Sequence, residues 1–183
     1  MRHRRLAPIV LVAVLCARYL GGQNKQIENL APFAVTPDLV VDRMLQLGEL
    51  KAGEKMFDLG SGDGRIVIQA ARKYKADATG VEYDPRLVKL SISRIRGFRL
   101  TGLARIIEGD LLRQDYSSAD LITVYLLPVA NEKLIPIFER QLKPGARIVS
   151  NDTPLTPWEP VKMEAIKDDG EGHSHKINLY VKR

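Results

Sequence analysis

The sequence predicts an α/β domain with one seven-stranded sheet, mostly parallel and ending in an antiparallel hairpin. Between residues 55 and 150, strand-like runs alternate with helical stretches of about 10–15 residues, the pattern of parallel βαβ units. After residue 160, two strand-like runs are joined directly by a loop, which predicts antiparallel strands. Residues 55–74 read as a strand, a glycine-rich loop and a helix, an arrangement typical of α/β folds that bind nucleotides.

The first helix of this domain is predicted to begin at residues 36–38. Thr36 is a favourable N-cap residue, Pro37 suits the first helical position, and Asp38 places a negative charge in the first turn. Apolar side chains then recur at helical spacing as far as Leu47. We therefore expect one face of this helix to be buried.

The remaining elements follow from the same two periodicities. Apolar and alternating runs predict strands at residues 55–59, 78–82, 104–108, 120–127, 146–150, 161–167 and 176–181. Helical spacing predicts helices at residues 65–74, from residue 84 onwards and at residues 129–142. The helix after residue 84 alternates apolar with basic side chains, and we interpret its basic side as a solvated face, not an RNA-binding patch.

Length and composition restrict the class of protein. A chain of 183 residues with 45% hydrophobic and 27% charged residues fits one globular domain. The single Cys16 excludes an internal disulfide framework and a cysteine-based zinc site. The net charge is +6, but residues 1–22 carry four arginines and no acidic residue, which leaves 24 basic against 22 acidic residues elsewhere. The body of the chain therefore gives little electrostatic reason to expect a nucleic-acid partner.

Residues 1–22 have the features of a targeting segment. Three arginines and a histidine in residues 2–5 precede twelve uncharged residues, 6–17. This pattern indicates a signal peptide, a signal-anchor or, in a eukaryote, an organellar presequence. The apolar run is shorter than the roughly 20 residues that a membrane span needs. We expect this segment to export, anchor or target the chain, with membrane association through residues 6–17, a linker at 23–34 and the domain at 35–183.

The most informative motif is the loop at residues 58–64, between the first strand and its helix. Three glycines stand at alternate positions in it: Gly60, Gly62 and Gly64. They let the backbone turn sharply and approach a ligand closely, at a helix N-terminus that favours a negative group. A dinucleotide fingerprint needs glycine where this chain has Arg65. Asp58 and Asp63 bracket the loop, and two carboxylates suit the cationic sulfonium and ammonium groups of S-adenosylmethionine better than a pyrophosphate.

Acidic residues end the next two predicted strands. Glu82 lies 20 residues beyond Gly62, where an acidic side chain can accept hydrogen bonds from both ribose hydroxyls of an adenosine. Asp110 could accept a hydrogen bond from the adenine amino group, with Gly109 leaving space for the ring; the alternative is an N-cap for the next turn. The carboxyl ends of parallel strands meet at one edge of a sheet, so Asp58, Glu82 and Asp110 should converge there.

Residues 58–65, taken with Glu82 and Asp110, resemble class I S-adenosylmethionine-dependent methyltransferases, whose fold is a seven-stranded Rossmann-like sheet. Three flanking motifs narrow this resemblance: Pro-Phe-Ala-Val-Thr-Pro at 32–37, Tyr-Leu-Leu-Pro at 125–128 and Pro-Trp-Glu-Pro at 157–160. They are similar to those of the small protein-lysine methyltransferases of archaea and mitochondria. The mitochondrial members act on the ATP synthase c-subunit and the adenine nucleotide translocase. The resemblance extends over about residues 32–180.

The resemblance implies which residues hold S-adenosylmethionine. In that family the segment before the first helix lies over the cofactor pocket, which implies a role for Phe33 and Thr36. Members usually have proline where this chain has Ala34 and Val35, so the chain departs from the family pattern in this segment. The complete set of predicted cofactor-binding residues is Phe33, Thr36, Asp58, Gly60, Ser61, Gly62, Asp63, Gly64, Glu82, Tyr83, Gly109 and Asp110.

Methyl transfer from a sulfonium is an in-line displacement, so the protein mainly aligns the reactants and excludes water. We hypothesise that Tyr125, at the end of the fourth strand, lines a channel for the acceptor amine, with Asn151 and Asp152 near the end of the fifth. A desolvating channel would favour the neutral amine of a lysine. Enzymes that methylate adenine or glutamine amides commonly place an Asp/Asn-Pro-Pro-aromatic motif after the fourth strand, and residues 125–128 do not supply it.

The leading hypothesis is therefore a protein-lysine methyltransferase that uses S-adenosylmethionine and has a protein substrate. Two alternatives stay open: a methyltransferase for a small-molecule or lipid-associated acceptor, and a non-catalytic protein that binds S-adenosylmethionine. No nucleic-acid partner and no metal are expected. We interpret His173 and His175 as exposed loop residues without a third metal ligand nearby.

Overall fold

A computed structural model describes residues 35–183 of the chain. The elements, in chain order, are α1 (Asp38–Leu47), β1 (Lys55–Leu59), α2 (Arg65–Gln69) continued by a π-helical turn (Ala70–Tyr74), β2 (Asp77–Glu82), α3 (Pro85–Gly97), β3 (Ala104–Glu108), a 3₁₀ turn (Leu111–Arg113), β4 (Leu121–Val124), α4 (Pro128–Gln141), β5 (Arg147–Asn151), β6 (Lys162–Ile166) and β7 (His175–Val181). All seven predicted strands are present.

The seven strands form one sheet in the order β3-β2-β1-β4-β5-β7-β6. Strands β1 to β5 are parallel, whereas β7 is antiparallel to both β5 and β6. The predicted α/β class and the mixed sheet with a C-terminal antiparallel hairpin are confirmed. The strand order reverses between β1 and β4, and open α/β sheets bind their ligands beyond the carboxyl ends of the strands at such a point.

Two apolar cores cover the faces of the sheet, because successive strand residues point to opposite sides. Met56 packs in the core that contains α1 and α2, and Ile95 joins this core from α3. Phe57, one residue further along β1, packs in the core that contains α4. The carboxyl ends of β1 to β4 lie at one edge of the sheet, where open α/β sheets bind their ligands.

Several predicted boundaries shift by one residue in the structure, and the start of α1 and the end of β4 show why. Helix α1 begins at Asp38 with Pro37 in the N-cap position, and no side chain caps it, so the prediction that Thr36 is the N-cap was wrong. Strand β4 ends at Val124, three residues before the predicted end. Val124 pairs with Leu59, the last residue of β1. The chain turns away from β4 at the following residue, Gly60, whose φ is 76°. Beyond Val124 the strand therefore has no partner on that side.

The predictions for residues 1–22, for the linker at 23–34 and for Phe33 lie outside the described residues. Within residues 35–183, every helix is too short or too polar to cross a membrane.

Candidate cofactor and acceptor site

The glycine loop enters the site in a conformation that side chains would oppose. The three glycines all have positive φ angles, 76° at Gly60, 54° at Gly62 and 77° at Gly64. Gly64 is the N-cap of α2, and a Cβ atom added there would lie 2.9 Å from the Cβ of Ser91 on α3. Glycine is therefore required at position 64 for two reasons: the positive φ angle, and the close approach of α3, which leaves no room for a Cβ.

Helix α3 holds the glycine loop through two side chains that the sequence analysis did not assign to the site. The Ser91 hydroxyl lies 2.8 Å from the carbonyl oxygen of Gly62, and Arg94 Nη1 donates to the carbonyl oxygen of Asp63 over 2.9 Å. Arg94 belongs to the basic side of α3, which the sequence predicts to be solvated, and that prediction is wrong for this residue. One signal was available, since Ser91 stands at helical spacing between the apolar Val88 and Ile95 and is fully buried.

Asp63 is neutralised by two arginines of the chain itself. Arg65 contacts both carboxylate oxygens, and Arg94 Nη1 lies 2.5 Å from Oδ2. Burial raises the pKa of Asp63, but the hydrogen bonds and charge of Arg65 and the charge of Arg94 lower it below its usual value. The expectation that the Asp63 carboxylate suits a cationic ligand is therefore corrected: its charge is already compensated. Arg65 also donates from Nη1 to the carbonyl oxygen of Thr36, which ties the segment before α1 to the loop.

Asp58 has the opposite environment. Its side chain is buried, and the hydroxyl of Thr123 donates to its Oδ1 over 2.7 Å. The pKa of Asp58 is raised to about 7, because the effect of burial and of the charges of Glu82 and Asp63 outweighs the lowering by the Thr123 hydrogen bond. A buried carboxyl group surrounded by acidic neighbours would be stabilised in its ionised form by a cation. The prediction of a carboxylate facing a cationic ligand is therefore physically plausible at Asp58.

Glu82 is the acceptor for three backbone N–H groups. Its Oε2 accepts from Gly62 and its Oε1 from Tyr83 and Asp84, each over 2.8 Å. The side chain thus fastens the end of β2 to the glycine loop, which the sequence analysis did not anticipate. Carboxylate oxygens together offer about four lone-pair positions, so acceptor capacity for a ribose hydroxyl remains. The Tyr83 ring beside it is 51% exposed.

The other predicted cofactor residues lie at the same edge of the sheet. Asp110 caps the following 3₁₀ turn by accepting from the N–H of Leu112 over 2.8 Å, so the alternative interpretation as an N-cap is observed. Gly109 donates its N–H to the carbonyl oxygen of Glu82 and so extends the pairing of β3 with β2. The buried Ser61 hydroxyl has no hydrogen-bond partner among the described residues.

The predicted acceptor residues lie at the ends of neighbouring strands: Tyr125 directly follows β4, and Asn151 is the last residue of β5. Val124 pairs with Ser150, so the next residue of each strand reaches the carboxyl edge together. Burial raises the pKa of Tyr125, and so does the charge of Asp152. Asn151 is buried, with Nδ2 3.3 Å from Nδ1 of His175, while its Oδ1 has no hydrogen-bond partner within residues 35–183.

His175 was misplaced by the sequence analysis. It begins β7, and its side chain is only 9% exposed, because it lies between Asp152 and Asp169. The interpretation as an exposed loop residue holds for His173, whose side chain is 72% exposed. The structure also supplies the third potential metal ligand that the sequence analysis found missing, because Asp169 and Glu171 lie beside His173. The absence of a metal stays a prediction.

Comparison with known proteins accounts for this combination of sheet and loop. The family model of the ANTKMT methyltransferase domain matches residues 58–162, which include the glycine loop, Glu82, Asp110 and Tyr125. The chain belongs to this methyltransferase family. It is a methyltransferase that uses S-adenosylmethionine, as the sequence analysis predicted.

Three relatives illustrate the similarity. A protein-lysine N-methyltransferase of Saccharolobus islandicus is 37% identical over 151 residues, covering 82% of this chain and 92% of the relative. The adenine nucleotide translocase lysine N-methyltransferase of Mus musculus is 33% identical over 79% of this chain, which spans only 57% of the mouse enzyme. A crystal structure of an RNA methyltransferase from Salinibacter ruber with S-adenosyl-L-homocysteine is 39% identical, with a TM-score of 0.74, covering 81% of this chain and 93% of that one.

The residues of the methyltransferase fit its cofactor. The glycine loop leaves room for a close approach, and Asp58 is a buried carboxyl group whose raised pKa a bound cation would lower. When bound, S-adenosylmethionine supplies a methyl group on a positively charged sulfur that needs no further activation. The protein's tasks are therefore to bind, to orient and to exclude water.

Proposed function

We propose that this methyltransferase modifies the side-chain amine of a protein lysine. The observation that supports the proposal is the exposed apolar surface around the predicted acceptor residues Tyr125 and Asn151. Large apolar side chains are exposed next to the ends of β2 and β4, Tyr83 at 51%, Leu127 at 43% and Val129 at 40%. Such a rim suits a macromolecular partner that covers the site. The names of the archaeal and mouse relatives, both lysine methyltransferases, support the same acceptor.

The chemistry at the end of β4 also favours an amine. The segment Tyr125 to Pro128 contains no carboxylate or carboxamide that could hold the flat amino group of a nucleobase. The raised pKa of Tyr125 keeps its hydroxyl neutral, so it can donate or accept a hydrogen bond at neutral pH. In this proposal Tyr125 and Asn151 orient the amine, and no strong base is needed, because the acceptor can lose its proton to solvent.

The cofactor-binding set is part of the proposal. Asp58 would face the cationic end of S-adenosylmethionine, and Glu82 would receive the ribose while holding the loop. Gly109 and Asp110 would flank the adenine. Asp63 would act indirectly, by anchoring Arg65 and Arg94. The segment with Phe33 and Thr36 would cover the pocket.

Tritiated S-adenosylmethionine and a fractionated cell extract test the acceptor. We expect acid hydrolysis of the labelled protein fraction to yield methyl-lysine, and we expect the Asp58→Ala variant to abolish the label. Label confined to the lipid or small-molecule fraction would favour the first alternative. Cofactor binding without label in any fraction would favour a non-catalytic protein. Either result would contradict the proposed function.

RNA is a second candidate acceptor, because the Salinibacter structure carries the name of an RNA methyltransferase. The structure weakens the electrostatic case for it, since Arg94 of the basic helix α3 is bound to Asp63 instead of facing solvent alone. The same labelling experiment decides between the two acceptors, because ribonuclease would remove RNA-bound label and leave methyl-lysine.

We further propose that residues 1–22 target or anchor the chain, as their sequence pattern predicts. Cell fractionation with protease protection, compared between the full chain and a chain lacking these residues, tests this. Identical distribution of the two would contradict it.

A further inference from the structure

A line of polar contacts connects the predicted acceptor residues with the antiparallel hairpin. His175 Nδ1 lies 2.9 Å from Asp152 Oδ2, and His175 Nε2 lies 3.3 Å from Asp169 Oδ2. The rings of Tyr125 and His175 pack edge to face with their centroids 6.3 Å apart. These contacts join the end of β4, the end of β5 and the start of β7 at one place.

The exposure of these side chains rises along the line. Asp169 is 1% exposed, His175 9% and Asp152 34%. The Asp169 carboxylate is held by the N–H groups of His173 and Glu171, which lower its pKa to about 2. Asp169 is thus a fixed, buried negative group, and Asp152 is the member of the line that a substrate can reach.

Asp152 has an uncommon backbone conformation. Its φ is 56°, in the left-handed region that few residues with a Cβ adopt. Two hydrogen bonds with Lys176 hold it there: the Asp152 N–H donates to the Lys176 carbonyl oxygen over 2.8 Å, and the Lys176 N–H donates to Asp152 Oδ1 over 2.9 Å. Strained residues that are fixed by several contacts are common at functional sites, where they aim a side chain.

We propose that Asp152 binds the substrate lysine as it enters in its ammonium form, before that group loses a proton to solvent and reacts as the neutral amine. His175 and Asp169 are positioning residues that aim Asp152. The inference rests on the proposed lysine acceptor. A carboxylate is an acceptor-only group, and an ammonium has three donors and a full positive charge, so the two are complementary. His175 Nδ1 contacts Oδ2 and the Lys176 N–H donates to Oδ1, while a carboxylate offers about four acceptor positions, so acceptor capacity for the substrate remains. A neutral, flat amino group would gain much less from this carboxylate.

Asp152→Asn tests the receiving role with little risk to the fold. Asparagine tolerates the left-handed conformation, and its side-chain oxygen can still accept from Lys176. The full chain is assayed with S-adenosylmethionine and short synthetic peptides that contain a single lysine. We expect kcat/KM for the peptides to fall roughly 10- to 100-fold, mainly through KM, with the Kd for S-adenosylmethionine unchanged within about twofold. Asp77→Asn, at the opposite edge of the sheet, is the control and should match the wild type.

Two substitutions of His175 test the positioning role. The amide nitrogen of asparagine occupies approximately the place of Nδ1, and that of glutamine the place of Nε2. His175→Asn should therefore retain the donor to Asp152 and most of the activity, within about threefold. His175→Gln should retain only the contact with Asp169 and lose roughly tenfold in kcat/KM. A purely structural histidine would not separate the two variants in this way.

The outcomes distinguish the two proposals. Methylated peptides from an Asp152→Asn chain as active as the wild type would overturn this inference and leave the lysine acceptor standing. Equal activity of the two His175 variants would overturn the positioning role. If the wild type produces no methyl-lysine while its label enters another fraction, the proposed function and this inference both fail.

Discussion

The Thr123 hydroxyl donates to Oδ1 of Asp58 over 2.7 Å and so joins β4 to β1 where the strand order reverses. This bond is the main favourable interaction of a carboxyl group that burial and acidic neighbours otherwise hold in its protonated form. It also links the two ends of the site, because Tyr125 follows two residues after Thr123.

Cofactor affinity should depend on pH through Asp58. The pKa of this group is about 7 in the folded, ligand-free chain against a usual 3.8, so it is mostly protonated at pH 6. A bound cation favours the ionised form, and binding should release a proton below pH 7. We expect the affinity for S-adenosylmethionine to rise roughly tenfold per pH unit from pH 5 towards 7 and then to level off. Calorimetry in buffers of different ionisation enthalpy measures both effects; Asp58→Asn should remove the pH dependence, and an unchanged slope would contradict the assignment.

The same group should make the ligand-free protein less stable as the pH rises. Because the folded state holds the extra proton, the stabilisation from Asp58 is fully present below about pH 4 and is lost as the pH rises towards 7. Urea unfolding of the wild type and of Asp58→Asn across this window isolates the contribution. The difference between the two free energies of unfolding should vary with pH, and a constant difference would be evidence against the raised pKa.

Glu82→Ala should weaken cofactor binding at least tenfold and destabilise the fold. The change removes the acceptor of three backbone N–H groups, including that of Gly62, and lowers the free energy of unfolding by about 2–3 kcal/mol. Glu82→Gln keeps one acceptor oxygen, so its cofactor affinity and its free energy of unfolding should lie between those of Glu82→Ala and the wild type. Calorimetric titration and thermal unfolding measure the two effects. Wild-type affinity in Glu82→Ala would refute the predicted placement of the ribose.

Gly64→Ala should destabilise the protein for two separable reasons. The φ of 77° costs alanine roughly 1–2 kcal/mol, and its Cβ would meet the Cβ of Ser91 at 2.9 Å. In the double variant with Ser91→Gly only the first cost persists. A double-mutant cycle by urea unfolding should therefore give a favourable coupling energy of about 1 kcal/mol or more. If the changes in unfolding free energy of the two single variants simply add, α3 moves to accommodate the new Cβ without an energetic cost.

Arg65→Lys should loosen the segment before α1. A lysine cannot contact both oxygens of Asp63 and also reach the Thr36 carbonyl oxygen, as Arg65 does. We expect amide hydrogen exchange near the start of α1 to accelerate roughly tenfold, with a smaller loss of cofactor affinity. Arg86→Lys, in an exposed pair with Asp84, is the matched control and should change neither. Equal exchange in the two variants would mean that Arg65 does not tether this segment.

Much of the fold and part of the site follow from local patterns. Strand and helix periods predict each element of the sheet because they depend on whether neighbouring residues face the core or solvent. The glycine loop can also be predicted, because its conformation depends on three glycines within a few residues of one another. Strand boundaries are harder to predict from local sequence. Strand β4 ends at Val124 because the neighbouring strand β1 turns away at Gly60, and the residues of β4 themselves do not encode this.

The sequence by itself thus determined the α/β class, the seven strands with their C-terminal antiparallel hairpin, and the cofactor. Only the tertiary structure decided which charges are free. Asp58 and Asp63 look equivalent in the sequence, yet Asp63 is paired with Arg94, 31 residues away, while Asp58 contacts a neutral hydroxyl. His175 reads as a loop residue but lies buried between two carboxylates. The reason is that electrostatic partners are selected by packing between distant segments, which no local pattern records.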